Sequence, residues 1–520
     1  MTRRNIGLIT IALFVIILSV QVIGSTQRNN GEFIYPIDDT YIHLAIARNF
    51  ADYGVWGIDR YGFSSTSSSL LYSGVLSLSL TLFGNFTTLP FILNIVFAFL
   101  MLFTFYKLAS KDGLDNLVYF LGCLLLILLV PLPSMVLSGM EHVMHALLSV
   151  SFSVFAARSL THQKASFIPV LVLAPLIATV RYEGLFLIGI VAFLFLVNRD
   201  FKASFLTLFA GLLPIAVFGV ISVLNGSHFL PNTILAKSYA SSLAGGSFFL
   251  FIINTADNFL YHISRLFLTV PIVVCGVLLY QLRHQKRSFF YQYTLITLLL
   301  ILSHSAFARV GRFDRYEAYL VAQVIVVVMY GYYPLRNFLG RLSAKKWVTT
   351  LVLILLFLPV AKRSFDNYWI SVQASQNIYE QQIQMARFIK SLPGDITLMA
   401  NDIGALAYFN PELHMVDMVG LGSVDVLNMM KSSGSNDERK AGYVKIAENH
   451  SADIAIIYDH WFRGQIPEDW KKIETWTIKN NVICGHTTVS FYSLKPGLTA
   501  FFEKSLDKFP LPPTVIRSVQ

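Results

Sequence analysis

The chain has few charged residues and few cysteines. Only 13% of its 520 residues are Asp, Glu, Lys or Arg, about half the charged fraction of soluble domains, whereas 55% are hydrophobic. Its three cysteines, Cys123, Cys275 and Cys484, exclude a disulfide-rich scaffold, and their spacing to histidines does not resemble a zinc site. These shortages predict a membrane protein with several spans and a polar remainder.

The net charge of +10 does not point to nucleic acid. No compact cluster of Lys and Arg interleaved with aromatics occurs, so we expect no nucleic-acid partner. The basic residues instead fall in short turns between apolar runs, at 107–111, 158–164, 199–202, 283–287 and 336–346. Because cytoplasmic loops are enriched in Lys and Arg, these turns are predicted to be cytoplasmic.

The apolar runs predict about eleven spans, near 5–23, 89–107, 115–132, 139–157, 166–180, 184–197, 203–224, 264–282, 290–305, 318–334 and 348–360. The serine-rich run 68–83 is expected to be interfacial or re-entrant, because a span there would place every later basic turn outside. The first run has no clear cleavage site and is interpreted as a retained span. We therefore expect a multi-pass protein of the inner (plasma) membrane, with a cytoplasmic N-terminus.

The predicted fold class is mostly α: a polytopic transmembrane helical bundle followed by an extracytoplasmic α/β domain. Residues 1–360 form the transmembrane module, and its first external loop covers 24–67. Residues 361–495 form the α/β domain, because strand-like runs alternate there with helical stretches. Residues 496–520, which contain several prolines, are expected to be an irregular tail. The strand-like runs are Ile396–Ala400, His414–Val419, Ala452–Tyr458 and Thr488–Leu494.

Two adjacent acids, Asp38 and Asp39, follow the first span. A carboxylate pair at a bilayer surface is costly unless water, a cation or a polar substrate faces it. Either acid could accept the proton of an acceptor hydroxyl, or the pair could hold a divalent metal ion through its oxygens. The alternatives are a solvated loop start and a helix N-cap. His43, on a short helix expected at the membrane surface, either faces the acids or is a plain surface histidine.

Further candidates lie at the predicted outer ends of later spans. Glu141 is either functional or an interfacial residue that reaches water. Arg181 and Glu183 either pair locally or form the floor of a pocket, in which Arg181 could hold a phosphate. Lys237 is either a cation for a lipid-linked phosphate or a solvated lysine. Arg309, Arg312 and Arg315 oppose the positive-inside bias, which favours anion binding over pairing with Asp314, Glu317 or the outer acids.

Taken in order, these segments resemble the GT-C superfamily of integral membrane glycosyltransferases, and within it the mycobacterial arabinofuranosyltransferases of the AftB type. The matching residues are Asp38–Ile42, Ala47–Asn49, Ser138–Glu141, Arg181–Gly184, Leu230–Thr233, Ala236–Lys237, Arg315–Tyr316, Asp402–Ala405, Val416–Asp417 and Gly420–Leu421. Two segments depart from the family pattern: Tyr182 stands where relatives often have proline, and Ser64–Ser69 is unusually rich in serine.

The resemblance implies an extracytoplasmic enzyme that transfers a sugar from a polyprenyl-phosphate donor to a glycan, lipid or protein of the cell envelope. It implies Asp38 as general base. We also expect catalytic roles for Asp39, as the orienting neighbour of Asp38 or a cation ligand, and for Glu141. Donor-phosphate binding falls to Arg181, Lys237, Arg312 and Arg315, and substrate binding to His43, Glu183 and Asn232. Apart from a divalent ion at Asp38 and Asp39, we expect no cofactor. The alternatives are a transporter or flippase for a lipid-linked sugar and a non-enzymatic sensor.

Overall fold

The computed structural model describes residues 2–161, 166–237, 248–263, 266–311, 313–342 and 346–519. Its helices are α1 (Arg3–Arg28), α2 (Asp39–Tyr53), α3 (Leu70–Phe83), α4 (Leu89–Lys111), α5 (Asn116–Leu129), α6 (Leu132–Leu137), α7 (His142–Leu160), α8 (Phe167–Val180), α9 (Gly184–Val197), α10 (Phe201–Leu224), α11 (Asn232–Lys237), α12 (Phe248–Ile263), α13 (Leu266–Gln281), α14 (Phe289–Phe307), α15 (Ala318–Leu342), α16 (Lys346–Ile378), α17 (Gln384–Ser391), α18 (Gly404–Phe409), α19 (Val424–Ser432), α20 (Asn436–Asn449) and α21 (Thr499–Lys508).

The chain divides into two compact units. Unit 1 consists of Met1–Gln21, Phe91–Val217 and Ser242–Trp369, and unit 2 consists of Val22–Pro90, Phe218–Ser241 and Ile370–Gln520. The predicted boundary at residue 360 follows the linear sequence, whereas unit 2 joins the first loop to the C-terminal domain. The physical reason is that residues 24–67 pack with the C-terminal domain: the carboxylate of Asp59 accepts the amide of Met415, and the Tyr61 hydroxyl donates to the Glu412 carbonyl.

Within the described residues, six helices are long and apolar enough to cross a membrane: Arg3–Arg28, Leu89–Lys111, His142–Leu160, Phe201–Leu224, Phe289–Phe307 and Ala318–Phe338. Five shorter apolar helices accompany them, at Leu70–Phe83, Asn116–Leu129, Phe167–Val180, Gly184–Val197 and Leu268–Gln281. The chain is a mostly helical, multi-pass membrane protein with a small C-terminal sheet domain, so the predicted fold class is confirmed. Which membrane holds it, and which side its termini face, stay predictions.

The serine-rich run 68–83 forms helix α3. The Ser69 side chain accepts the amide of Tyr72 and so caps the helix. At 14 residues α3 is about 21 Å long, which is shorter than the hydrocarbon layer of about 30 Å. It packs against α2, which we expected on the membrane surface but which is buried from Thr40 to Asn49 except at Ile42. Helix α2 is therefore a core helix of unit 2.

The C-terminal domain is built on one six-stranded sheet. Three strands are parallel: β1 (Thr397–Ala400), β2 (His414–Asp417) and β3 (Ile454–Ile457). Three more extend the sheet in antiparallel pairs: β4 (Lys471–Thr477), β5 (Thr488–Ser493) and β6 (Ile516–Val519). The strand order is β2-β1-β3-β5-β4-β6. The short parallel strands are apolar because both of their faces are covered. Since they run the same way, the segments that follow β1 and β3 leave the sheet at one edge.

The predicted irregular tail is wrong, because residues 496–520 belong to the folded domain. Helix α21 buries Phe502 and Leu506, and β6 pairs with β4 as the edge strand. The ring of Phe509 stacks on Trp476 at a centroid distance of 5.7 Å. The prolines at 510, 512 and 513 occupy the connection between α21 and β6, where proline costs no ladder hydrogen bond. Strand β4 was also not predicted from the sequence, because its polar outer residues obscure the alternation of apolar and polar positions.

If α21 is part of the core, Leu506→Ala destabilises the protein by about 2–5 kcal/mol, because it leaves a cavity. Lys504→Ala, on the exposed face of the same helix, is the control and shifts stability by less than about 0.5 kcal/mol. Thermal unfolding of the detergent-purified protein measures both changes. Equal melting temperatures for the two variants would contradict the assignment of the tail to the core.

Candidate functional site

The predicted site residues divide between the two units. Asp38, Asp39, His43, Asn232 and Lys237 lie in unit 2, whereas Glu141, Arg181, Glu183 and Arg315 lie in unit 1. Arg312 lies outside the described residues, as do residues 162–165 of one predicted basic turn.

The Asp38 carboxylate is fixed by two backbone amides. Its Oδ2 accepts the N–H of Gly404 at 2.8 Å, and its Oδ1 accepts the N–H of Ala405 at 2.9 Å. These amides open α18, so the negative charge meets the positive end of a helix. Although Asp38 directly precedes α2, its side chain makes no capping bond to that helix. Asp38 thus stands at the N-cap position of α2, but its side chain does not cap that helix and joins the first loop to the C-terminal domain.

The contact depends on glycine at position 404. A Cβ at Gly404 would lie 2.7 Å from Asp38 Oδ2 and closer still to the Asp38 carbonyl oxygen. Real Cβ atoms do not approach so closely, so any larger residue would push the carboxylate away. Glycine at position 404 therefore allows this close approach.

The surroundings of Asp38 disfavour its ionised form. Burial is the main cause, and the nearby Asp402 carboxylate adds to it, so the pKa of Asp38 rises to about 8 although the two amides act in the opposite direction. Asp38 is nevertheless only half-buried, and Asp39 beside it in the first turn of α2 is half-buried too. A carboxyl group with a raised pKa and partial access to solvent has the properties of a general base.

Asp402, which follows β1, is held by side chains from two other elements. Its Oδ2 accepts the Tyr458 hydroxyl at 2.7 Å and the Gln382 amide at 2.8 Å. Tyr458 follows β3, and its hydroxyl also contacts Gln381 Oε1 at 2.7 Å. Both glutamines lie on a π-helical turn, Tyr379–Ile383, in which every residue is buried. Such turns occur often at functional sites.

The sequence analysis did not predict this network, because its members are distant in the chain. One signal was available: three consecutive polar residues, Glu380 to Gln382, interrupt a helical pattern and require buried partners.

A divalent cation at Asp38 would share the carboxylate oxygens with two backbone amides. Both Asp38 oxygens already accept amide N–H groups. Within the described ranges, no group of three or more His, Cys, Asp or Glu side chains is placed to hold a metal ion. The metal prediction for Asp38 and Asp39 gains no support from these residues, and no step below uses a metal.

The other predicted residues of unit 2 have separate environments. His43 is buried, and its Nδ1 lies 2.8 Å from the Ser73 hydroxyl of α3, so it packs between helices. Asn232 is fully buried, and its amide donates to the Leu421 carbonyl at 3.2 Å. Lys237 is the last residue of α11. Because His43 and Asn232 are buried, neither is accessible to a charged ligand.

In unit 1, Arg181 lies between two carboxylates. Its Nη1 donates to Glu141 at 2.6 Å, while Nε and Nη2 donate to the two oxygens of Glu183 at 3.1 and 2.7 Å. The Glu141 side chain is completely buried, and that of Arg181 is 9% exposed. Glu141 therefore does not reach water, and the interfacial alternative is wrong. Burial alone would raise the pKa of Glu183, but Arg181 lowers it to about 2.

A second arginine lies close to this cluster. The guanidinium groups of Arg181 and Arg315 lie 5.4 and 5.2 Å from the centre of the Tyr316 ring, within the range of cation–π attraction. Glu317 and Asp314, the acids that we considered as partners for the arginines of this turn, contact Arg363 of α16, at 2.5 and 3.2 Å. Arg315 is 5% exposed. The turn thus places a second cation beside Arg181.

Comparisons with known proteins bear on both units. The model of a domain of unknown function, DUF8728, matches residues 376–492, which lie in the C-terminal domain. No curated protein matches the chain in sequence.

Solved structures resemble the chain over nearly its whole length. ArnT from Cupriavidus metallidurans bound to undecaprenyl phosphate is 13% identical with a TM-score of 0.54, and the match covers 95% of this chain and 98% of ArnT. The apo state of the same protein gives a TM-score of 0.51. The chain has the fold of ArnT. This is the GT-C architecture that the sequence resemblance implied, and at 13% identity the likeness establishes the fold alone.

A third solved structure is more distant. The oligosaccharyltransferase from Archaeoglobus fulgidus, in a complex with Zn and sulfate, is 10% identical with a TM-score of 0.45. The match covers 91% of this chain and 73% of that one.

Arg181→Met tests the charge cluster of unit 1. The substitution removes the guanidinium from between two carboxylates, one of them fully buried, and should cost about 3–5 kcal/mol of stability. Glu183→Gln keeps an oxygen acceptor and leaves the Arg181–Glu141 pair, so it should cost clearly less. Thermal unfolding in detergent compares the two variants. An Arg181→Met protein as stable as the wild type would contradict the ion-pair arrangement.

Proposed function

We propose that the chain is a membrane glycosyltransferase that moves a sugar from a polyprenyl-phosphate donor to a glycan, lipid or protein of the cell envelope, on the extracytoplasmic face. The observation that carries the proposal is the fixed carboxylate of Asp38 in a chain with the fold of ArnT. That ArnT structure contains undecaprenyl phosphate, a lipid phosphate of the class that this donor would release.

Asp38 acts as the general base. Glycosyl transfer from a lipid phosphate has a good leaving group, so the protein must supply a base for the acceptor hydroxyl and cations for the departing phosphate. The amides of Gly404 and Ala405 hold the carboxylate in one orientation, while its raised pKa makes it a stronger proton acceptor than an ordinary aspartate. The acceptor oxygen attacks the anomeric carbon, the bond to the phosphate oxygen breaks, and Asp38 takes the hydroxyl proton. This single displacement inverts the anomeric configuration.

Basic residues bind the donor phosphate. The candidates are Arg315, Lys237 and Arg312. In its contacts with the described residues, Arg181 uses three of its five N–H groups on Glu141 and Glu183. Two N–H groups remain to bind an anion. Glu141 then orients Arg181 through a short, buried ion pair rather than taking part in proton transfer. His43 and Asn232, both buried, support the fold around the site.

The sequence resemblance supports a finer assignment, to the AftB-type branch. In that branch the transferred sugar is a pentose, arabinofuranose. The donor panel for the purified protein should therefore contain polyprenyl-phosphate arabinofuranose beside polyprenyl-phosphate hexoses, with envelope extract as the source of acceptor. Release of polyprenyl phosphate identifies the donor, and the anomeric configuration of the product tests inversion.

One observation favours the flippase alternative. Buried polar groups lie within the membrane helices: the Gln323 amide on α15 donates to the Ser149 carbonyl and the Ser153 hydroxyl on α7. A transporter would need such groups. If no donor of the panel releases polyprenyl phosphate while labelled lipid-linked sugar crosses proteoliposome membranes, the flippase replaces the enzyme.

Asp38→Asn should lower the rate of polyprenyl phosphate release by about 10²–10⁴-fold, because an amide cannot take the acceptor proton. Asp59→Asn is the matched control: Asp59 also lies in the first external segment and accepts the amide of a residue of the C-terminal domain, Met415. It should keep wild-type activity, and both variants should reach the membrane in wild-type amounts. Wild-type turnover by Asp38→Asn would refute the role of Asp38.

The dependence of the reaction on pH follows from the raised pKa. Below about pH 8 most of Asp38 carries a proton and cannot act as a base, so kcat/KM should rise about tenfold per pH unit and level off above about pH 8. Enzyme held at each pH and then assayed at pH 8 should recover full activity, which separates titration from unfolding. A flat profile between pH 6 and 9 would contradict this assignment.

A further inference from the structure

Helix α18 is held at one end by Asp38, the residue that precedes α2, and at the other end by a residue of α2. At its N-terminus, the amides of Gly404 and Ala405 bind Asp38. At its C-terminus, the guanidinium of Arg48 donates to the carbonyls of Ala407, at 3.1 Å, and of Tyr408. An acid at the first end and a base at the second each complement the dipole of α18. The two helices are therefore attached through opposite charges at two points.

Aromatic packing fills the space between these two points. Tyr41 of α2 is fully buried, and its ring lies 6.0 Å from that of Tyr408 and 5.6 Å from that of Phe409. The guanidinium of Arg48, which is 5% exposed, also lies 5.4 Å from the centre of the Tyr408 ring. A rigid interface of this kind transmits small displacements of α18 to Asp38.

The turn that leads into α18 is anchored independently by Asp402. Tyr458 and Gln382, which come from two other elements of the C-terminal domain, both bind Asp402 Oδ2. Asp402 lies two residues before Gly404, so its position determines where the first amides of α18 point.

We propose that Asp402 and Arg48 are positioning residues for the transfer reaction, which together hold α18 so that its first amides fix the Asp38 carboxylate for proton transfer. The inference rests on the proposed function and extends it. Neither residue touches the substrate in this arrangement. Both act through Asp38, Arg48 by fixing the far end of α18 and Asp402 by fixing the turn and placing a negative charge nearby.

The charge of Asp402 gives this proposal a readout that a merely structural residue would lack. The ionisable groups that face Asp38 are Asp39 and Tyr41 on α2 and Asp402, Tyr458 and Cys484 from the C-terminal domain. Among these, the Asp402 carboxylate is the group that most opposes ionisation of Asp38. Removing its charge should therefore make Asp38 lose its proton at lower pH.

Asp402→Asn keeps the shape of the side chain and an oxygen for the Tyr458 hydroxyl, but it removes the charge. We expect the rising limb of kcat/KM to move to lower pH by about one unit, while the donor KM stays within about twofold. Tyr458→Phe keeps the charge of Asp402 but removes a hydroxyl donor that screens it, so the limb should shift by less and to higher pH. Asp453→Asn is the control, because Asp453 accepts the amide of Thr397 at the opposite end of β1; it should leave the limb unchanged.

Two further variants test position rather than charge. Gly404→Ala forces the carboxylate to move, so kcat should fall about 10²-fold with the donor KM nearly unchanged. Arg48→Met removes the attachment at the far end of α18 and should lower kcat about tenfold, and Arg48→Lys should recover part of that loss. The melting temperature of each variant is compared with the wild type, so that loss of the fold is distinguished from loss of position.

The outcomes separate this inference from the proposed function. The positioning role alone is overturned if Asp38→Asn is inactive while Asp402→Asn keeps the wild-type pH profile and Arg48→Met keeps the wild-type kcat. Full activity in Asp38→Asn overturns the proposed base, and the positioning role with it. If Asp402→Asn does not fold, the pH profile of Tyr458→Phe tests the role of Asp402. A rising limb of kcat/KM that is unshifted in Tyr458→Phe overturns that role.

Discussion

The contact between the Asp38 carboxylate and the first two amides of α18 is the interaction on which unit 2 depends. It joins residues more than 360 positions apart in the sequence. A carboxylate removed from water needs hydrogen-bond donors, and the orphan amides at a helix start need acceptors. The carboxylate and the amides therefore satisfy each other's hydrogen bonds. This contact constrains the chain: position 404 must be glycine, α2 must be buried, and Arg48 must reach the carbonyls at the other end of α18.

The same requirement shapes unit 1. Its buried charges occur as a set in which Arg181 compensates two carboxylates, and in which Arg363 compensates Glu317 and Asp314. Arginine suits this arrangement because its planar group donates several hydrogen bonds in fixed directions and keeps its charge when desolvated. The sequence analysis treats these residues one by one, as anion binders or as surface groups. In the structure they form sets, and the members of a set determine one another's charge and orientation.

The sheet of the C-terminal domain serves mainly to deliver side chains to one edge. Parallel strands β1 and β3 end beside each other, so the residues that follow them, Asp402 and Tyr458, meet although 56 residues separate them in sequence. The π-helical turn adds Gln382 from a third direction. An acid held from several elements keeps a defined distance to its neighbours, which is the condition for one carboxyl group to alter the pKa of another in a reproducible way.

The amino-acid sequence by itself determined the membrane class, the helical spans, the C-terminal α/β domain with four of its strands, and Asp38 as the acid of interest. These follow from hydropathy and periodicity, which are local properties, and from the cost of a charge near a bilayer. Only the tertiary structure decided that Asp38 binds α18 instead of capping α2, that Glu141 is buried against Arg181, and that residues 496–520 complete the sheet. Each of these depends on partners distant in the chain, and hydrogen-bond partners of that kind leave no periodic trace in a single sequence.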